Sequence, residues 1–109
     1  MPVNATNDKF GWIAPDFNLL DVSGNKLSLN EMSGSNGTVI AFIWNHCPYV
    51  IAIAERLGKE AKELSKLSIN TIAIMSNDVI QYPEDSYENM KLFAKNYDFI
   101  FPYLFDDSQ

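Results

Sequence analysis

Hydrophobic and polar positions change period along this chain, and each change predicts an element. In APDFNLLDVSGNKLSLNEM, Phe17 and Leu19, then Leu27 and Leu29, alternate with polar residues. DVSGNK between them carries turn chemistry, with Gly24 free to take positive φ, so the stretch predicts a β-hairpin. SGSNG, 33–37, reads as a loop. TVIAFIW, 38–44, is a continuous apolar run of β-branched and aromatic residues, the pattern of a central strand covered on both faces. From Pro48 to Leu67 the apolar residues fall at Val50, Ile53/Ala54, Leu57, Ala61, Leu64 and Leu67, a helical stripe. Glu55 and Lys59 make an i,i+4 pair in the favourable order on its polar face. Gly58 inside that helix costs about 1 kcal/mol against Ala, which marks a kink or a close packing.

INTIAIM, 69–75, is a second strand of the buried kind. Pro83, with Glu84 and Asp85 behind it, reads as a helix start, and Tyr87, Met90, Phe93/Ala94 and Tyr97 form that helix's apolar stripe. FIFPYLFDDSQ is aromatic, and Phe101-Pro102 suggests a sheet edge or the beginning of a strand. Hairpin, strand, helix, strand, helix and a strand-like end predict an α/β fold with a βαβ core. Its two buried strands are expected to be parallel and joined by a right-handed crossover. The pattern holds no repeat, low-complexity stretch or linker, so residues 1–109 are expected to form a single domain.

Composition changes this picture little. At 109 residues, 47% hydrophobic and 20% charged, the chain has the mix of a globular domain. Folding at this size buries roughly 60–68% of the unfolded surface. Eight Lys+Arg against 14 Asp+Glu give a net charge of −6, which argues against nucleic acid or an anionic membrane as the main partner. The acidic excess gathers in Glu84, Asp85, Glu88, Asp98, Asp106 and Asp107 and reads as a solvated surface. MPVNATNDKFGW has neither the basic nor the apolar region of a signal peptide, and no apolar run approaches membrane-spanning length. Two N-x-[ST] matches, at Asn4 and Asn36, then read as chance. One cysteine allows neither an internal disulfide nor a CxxC pair and fits a reducing compartment, so a cytoplasmic location is expected.

The candidate chemistry lies in IWNHCPYVI, 43–51, where the first buried strand hands over to the helix. In α/β sheets ligands gather at such junctions. Free amides and the dipole at a helix N-terminus stabilise an anion, and a thiolate there can have its pKa lowered from ~8.5 to within ~3.5–7.5. His46 would add to this if protonated, and Pro48 suits a first helical turn. Cysteine is also a small, frequently buried hydrophobe, so Cys47 reads equally as a reactive thiol or as an inert core residue. His46 on its own reads as a solvent-facing spacer, and Trp44 as a packing residue. One Cys and one His supply too few soft ligands for a metal site, and no cofactor is expected. SGSNGT lacks the lysine of a P-loop and precedes a strand instead of a helix, which removes a phosphate-binding reading.

These motifs resemble a family. APDFNLLDVSGNKLSL resembles the opening segment of the redoxins, the alkyl hydroperoxide reductase/thiol-specific antioxidant group. HCPYV, SND, YPEDSYENMKLFA and FPYLFDDSQ are similar to the peroxiredoxin-like subgroup of the thioredoxin superfamily, colinear over nearly the whole chain. The resemblance implies a thioredoxin-like fold and redox chemistry on peroxides or disulfides, with an external thiol as reductant. Where the subgroup carries C-N-H-C, this chain has Trp44-Asn45-His46-Cys47, so a dithiol cycle within the chain is chemically impossible. Matched instead to the Thr/Ser-x-x-Cys of true peroxiredoxins, Cys47 is the attacking sulfur and Trp44 replaces the hydroxyl that helps hold the peroxide. A one-cysteine cycle through sulfenic acid remains open. The resemblance also implies a further C-terminal β-β-α part, with a cis-proline loop facing the thiol, that is expected to be missing here. An open sheet edge would then favour self-association.

Two functions follow. In the first, the chain is a thiol oxidoreductase in which Cys47 reacts and Asn45 and His46 shape its surroundings. In the second, it is a non-catalytic thioredoxin-fold remnant or protein-binding module, consistent with Trp44 in place of cysteine. The aromatic residues Phe99, Phe101, Tyr103 and Phe105 are expected to cover the sheet.

Overall fold

Leu19 pairs across from Leu27 in an antiparallel hairpin of β1 (Asn18–Asp21) and β2 (Lys26–Ser28), and Gly24 in its turn takes φ +94°. The computed structural model describes Gly11 and residues 13–107; the Asn4 match lies outside the described residues. Ser28 ends β2 and at once caps α1 (Leu29–Met32). Its hydroxyl accepts from the Glu31 amide, and the Glu31 carboxylate accepts from the Ser28 amide. This single turn was hidden in the predicted hairpin, because four residues are too few to display a period.

β3 (Gly37–Phe42), α2 (Pro48–Ser65) and β4 (Ile69–Met75) form the expected βαβ unit, with parallel pairs running from Gly37 and Ile69 to Phe42 and Ile74. β5 (Tyr103–Phe105) lies between β4, to which it is parallel, and β1, to which it is antiparallel. The sheet order is β2-β1-β5-β4-β3.

One expectation about strands needs correction. The run 38–44 predicted a central strand, yet β3 is an outer strand, and Val39 and Phe42 are exposed. At Phe101-Pro102, of the two alternatives, the beginning of a strand holds and the sheet edge does not, since β5 lies in the middle of the sheet. The Pro102 carbonyl accepts from the Ala73 amide, so proline sits at the start of β5, where its missing N–H costs no ladder bond.

Side-chain alternation divides the core. Ala41, Ile43, Ala73, Met75 and Tyr103 face α2 and α3 (Tyr87–Asn96), which bring Val50, Ala54, Ala61, Met90 and Phe93. Phe99 and Phe101 join this cluster, so the aromatic residues do cover the sheet. Gly58 is a close packing: a Cβ there would stand 3.3 Å from the Tyr97 carbonyl oxygen. On the other face, Ile72, Ile74 and Leu104 pack with Met32, Leu19 and Ile40, leaving an apolar groove of about 370 Å³ beside Phe42.

The helix expected from Pro83 begins later. Pro83–Asp85 forms a 3-10 turn, and α3 starts at Tyr87 with Ser86 as its cap, its hydroxyl accepting from the Asn89 amide. Asp85, expected as a solvated first-turn acid, is therefore outside the helix and fully buried.

Candidate functional site

β3 ends at Phe42, and residues 43–47, in which Trp44 is turned outward, form the link to α2. The Cys47 amide donates to the Trp44 carbonyl at 3.4 Å, and the Cys47 carbonyl accepts the helical bond from Ile51 at 2.9 Å. Cys47 is thus the N-cap of α2, with extended backbone (φ −71°, ψ 120°) and Pro48 in the first turn. Its sulfur makes no capping hydrogen bond, and the residue is only 9% exposed, packed with Ile43, Val50 and Met75. The cysteine therefore stands at a helix N-terminus and, at the same time, at the rim of the core.

The three residues before it are fixed from below. Asn45 is buried; its Nδ2 donates to the Glu84 carbonyl at 3.1 Å, and its Oδ1 accepts from the Tyr103 hydroxyl at 2.7 Å. That hydroxyl keeps its proton far above the usual tyrosine range, mainly because it is buried and secondarily because the Asp85 charge opposes a phenolate. The His46 amide donates to Oδ1 of Asp85 at 3.2 Å. The His46 ring Nδ1 lies 2.7 Å from Asp85 Oδ2, off the axis of an aligned hydrogen bond. Asn77 Nδ2 donates to the same Oδ2 at 2.8 Å. Tyr82 stacks on the imidazole, with ring centres 5.2 Å apart and planes 13° apart. Trp44, 40% exposed, tilts toward the same ring at 6.3 Å.

The candidate residues Trp44, Asn45, His46 and Cys47 therefore lie together. His46, read alone as a solvent-facing spacer, is a half-buried ring held against a buried carboxylate. Asp85, Asn77, Tyr82 and Tyr103 were missed. They come from separate parts of the chain, and the one local signal was Ser86: read as a helix cap, it leaves Asp85 outside the helix. Among the described residues, no three His, Cys, Asp or Glu side chains converge as metal ligands. No helix among them is long and apolar enough to cross a membrane.

A mixed sheet with helices packed on it, and a cysteine capping the helix that follows a parallel strand, make up a thioredoxin-like fold. The chain belongs to the AhpC/TSA family, whose model matches residues 10–109. It is 41% identical to an uncharacterized conserved protein from Geobacillus kaustophilus, with a TM-score of 0.94 over 100% of this chain and 59% of that one. A hypothetical protein from Sinorhizobium meliloti 1021 is 38% identical, with a TM-score of 0.90 over 95% of this chain and 57% of that one. This chain thus spans less than two thirds of the length of either relative. The peroxidoxin BcpB from Mycobacterium tuberculosis shares the fold at 24% identity and a TM-score of 0.66, over 84% of this chain and 55% of that one. None of the curated proteins compared matches.

Proposed function

We propose that Cys47 is a redox-active thiol that reduces a peroxide or a disulfide and is regenerated by an external thiol. The observation that carries this reading is the placement of the chain's one sulfhydryl as the N-cap of α2, at the end of a parallel strand and ahead of Pro48. Membership of the AhpC/TSA family supports thiol redox chemistry at that position. With Trp44 three residues before Cys47, residues 1–109 hold no second sulfhydryl to resolve an oxidised Cys47, and the resolving group in this reading is an external thiol. Dependence on an external thiol suits a reducing compartment such as the cytoplasm.

A second reading, a non-catalytic binding module, draws on the 9% exposure of Cys47. Trapping sulfenic acid in the folded chain with dimedone after limiting peroxide separates the two. Under the redox reading the native chain is trapped and Cys47→Ser is not. Labelling that appears only after unfolding in urea would make the cysteine structural and leave the binding module standing.

A further inference from the structure

We propose that Asp85 is a positioning residue for His46, holding the imidazole so that Nε2 exchanges the proton in the chemistry of Cys47. This rests on the redox reading of Cys47. The Asp85 carboxylate is fully buried, and its contacts converge on one end of the site: the His46 amide at 3.2 Å, His46 Nδ1 at 2.7 Å and Asn77 Nδ2 at 2.8 Å. A buried carboxylate is costly unless paired, so this arrangement is specific to a cationic or N–H-bearing partner. Although the 2.7 Å contact is off the axis of an aligned hydrogen bond, the carboxylate charge beside Nδ1 favours the tautomer with its proton on that side, which leaves Nε2 as the accepting nitrogen. Tyr82 stacked on one face and Trp44 near the ring restrict its rotation.

The groups that bear on the ring's charge are few. Asp85 faces it from the 3-10 turn and Tyr82 from the segment before that turn, Cys47 follows it in the chain, and Tyr103 stands behind Asn45, held in its neutral form. Asp85 is the one carboxylate placed against the imidazole by the contacts of the described residues.

The step balances. The Cys47 thiolate attacks the terminal oxygen of a hydroperoxide; the S–O bond forms and the O–O bond breaks. Cysteine is oxidised to sulfenic acid, and the peroxide is reduced to an alkoxide, which takes the Nε2 proton and leaves as an alcohol. A first external thiol condenses with the sulfenic acid, releasing water and leaving a mixed disulfide. A second external thiol gives its proton back to Nε2, and its thiolate attacks the mixed disulfide. The products are an external disulfide and the Cys47 thiolate beside a protonated His46.

One histidine and one cysteine in the chain make every readout specific. The experiment combines long-range proton–nitrogen NMR of the imidazole with the pH profile of Cys47 oxidation by hydroperoxide, for the native chain, Asp85→Asn and His46→Gln. Expected are a native ring with its neutral form protonated on Nδ1, loss of that preference in Asp85→Asn, and loss of the same limb of the pH profile in both variants. The rate should fall at least tenfold, below the ~10²–10⁴ typical of a full acid–base contribution. His46→Gln, at a half-exposed position, keeps the test decisive if Asp85→Asn fails to fold. A native profile and rate in His46→Gln overturn the proposal. So does a loss confined to Asp85→Asn, which would make the carboxylate structural. If dimedone never traps the native chain while the Nδ1 tautomer is present, the redox reading itself fails and takes this one with it. If the native chain is trapped but the tautomer is absent, this proposal alone fails.

Discussion

Tyr103 carries the site and the core on one side chain. Its ring is fully buried against Phe93 and Phe99, while its hydroxyl donates to Asn45 and so sets the loop that ends in Cys47. Burial and the Asp85 charge both raise its pKa from the ordinary 10.0. The sign of the consequence is fixed by linkage. Above pH 10 the unfolded chain releases this proton and the folded chain keeps it, so the unfolded state binds fewer protons and stability falls as pH rises. Below pH 10 the contribution is fully present and constant. Urea unfolding should therefore show stability dropping by up to about 1.4 kcal/mol per pH unit from this group once pH passes ~10. Tyr103→Phe should be less stable near neutrality by about 1–3 kcal/mol, because the buried Asn45 Oδ1 loses its donor. Its alkaline decline should be shallower. An unchanged slope would assign the alkaline loss to other groups.

At the scale of elements, long periodic segments were legible and short ones were not. INTIAIM became β4 with the predicted bounds, and the stripe from Val50 to Leu64 became α2. Leu67 leaves the helix because Ser68 takes φ +61°, turning the chain back into β4. α1 was obscured because four residues display no period, and β5, three residues long, was signalled only by Phe101-Pro102 ahead of it. The site was half legible. Cys47 and its neighbours follow from the strand–helix junction, but Asp85 does not, because Pro-Glu-Asp has the composition of a helix first turn. What decides the matter is Ser86, whose hydroxyl takes the Asn89 amide and starts α3 one residue after Asp85 is turned inward. Ser86→Ala should cost about 1 kcal/mol of stability, as N-cap losses do. That should lower the melting temperature by about 4–8 °C at this chain length, read by circular dichroism. An unaltered melting temperature would show that Pro83, and not Ser86, sets the helix start.

At the scale of the whole molecule, the sheet has one consequence that its core does not. Among the described residues no strand pairs with the outer side of β3, which is uncharged along its length, GTVIAF, with Val39 and Phe42 exposed. An apolar strand edge of that kind is a template for another strand. The occupant the composition favours is a second copy of the chain, pairing β3 with β3, because neither strand then brings a charge to be desolvated. The net charge of −6 opposes this at long range, and salt screens it, with a Debye length near ~10 Å at 0.1 M falling to ~3 Å at 1 M. Association should therefore rise with both protein concentration and salt, which sedimentation velocity would follow directly. Val39→Lys places a charge on the free edge and should hold the chain monomeric under the conditions where the parent associates. A parent that stays monomeric at high concentration in 1 M salt would mean that the edge is protected despite its composition. Association undiminished by Val39→Lys would move the contact elsewhere, with the apolar groove beside Phe42 on the opposite sheet face as the next surface to substitute.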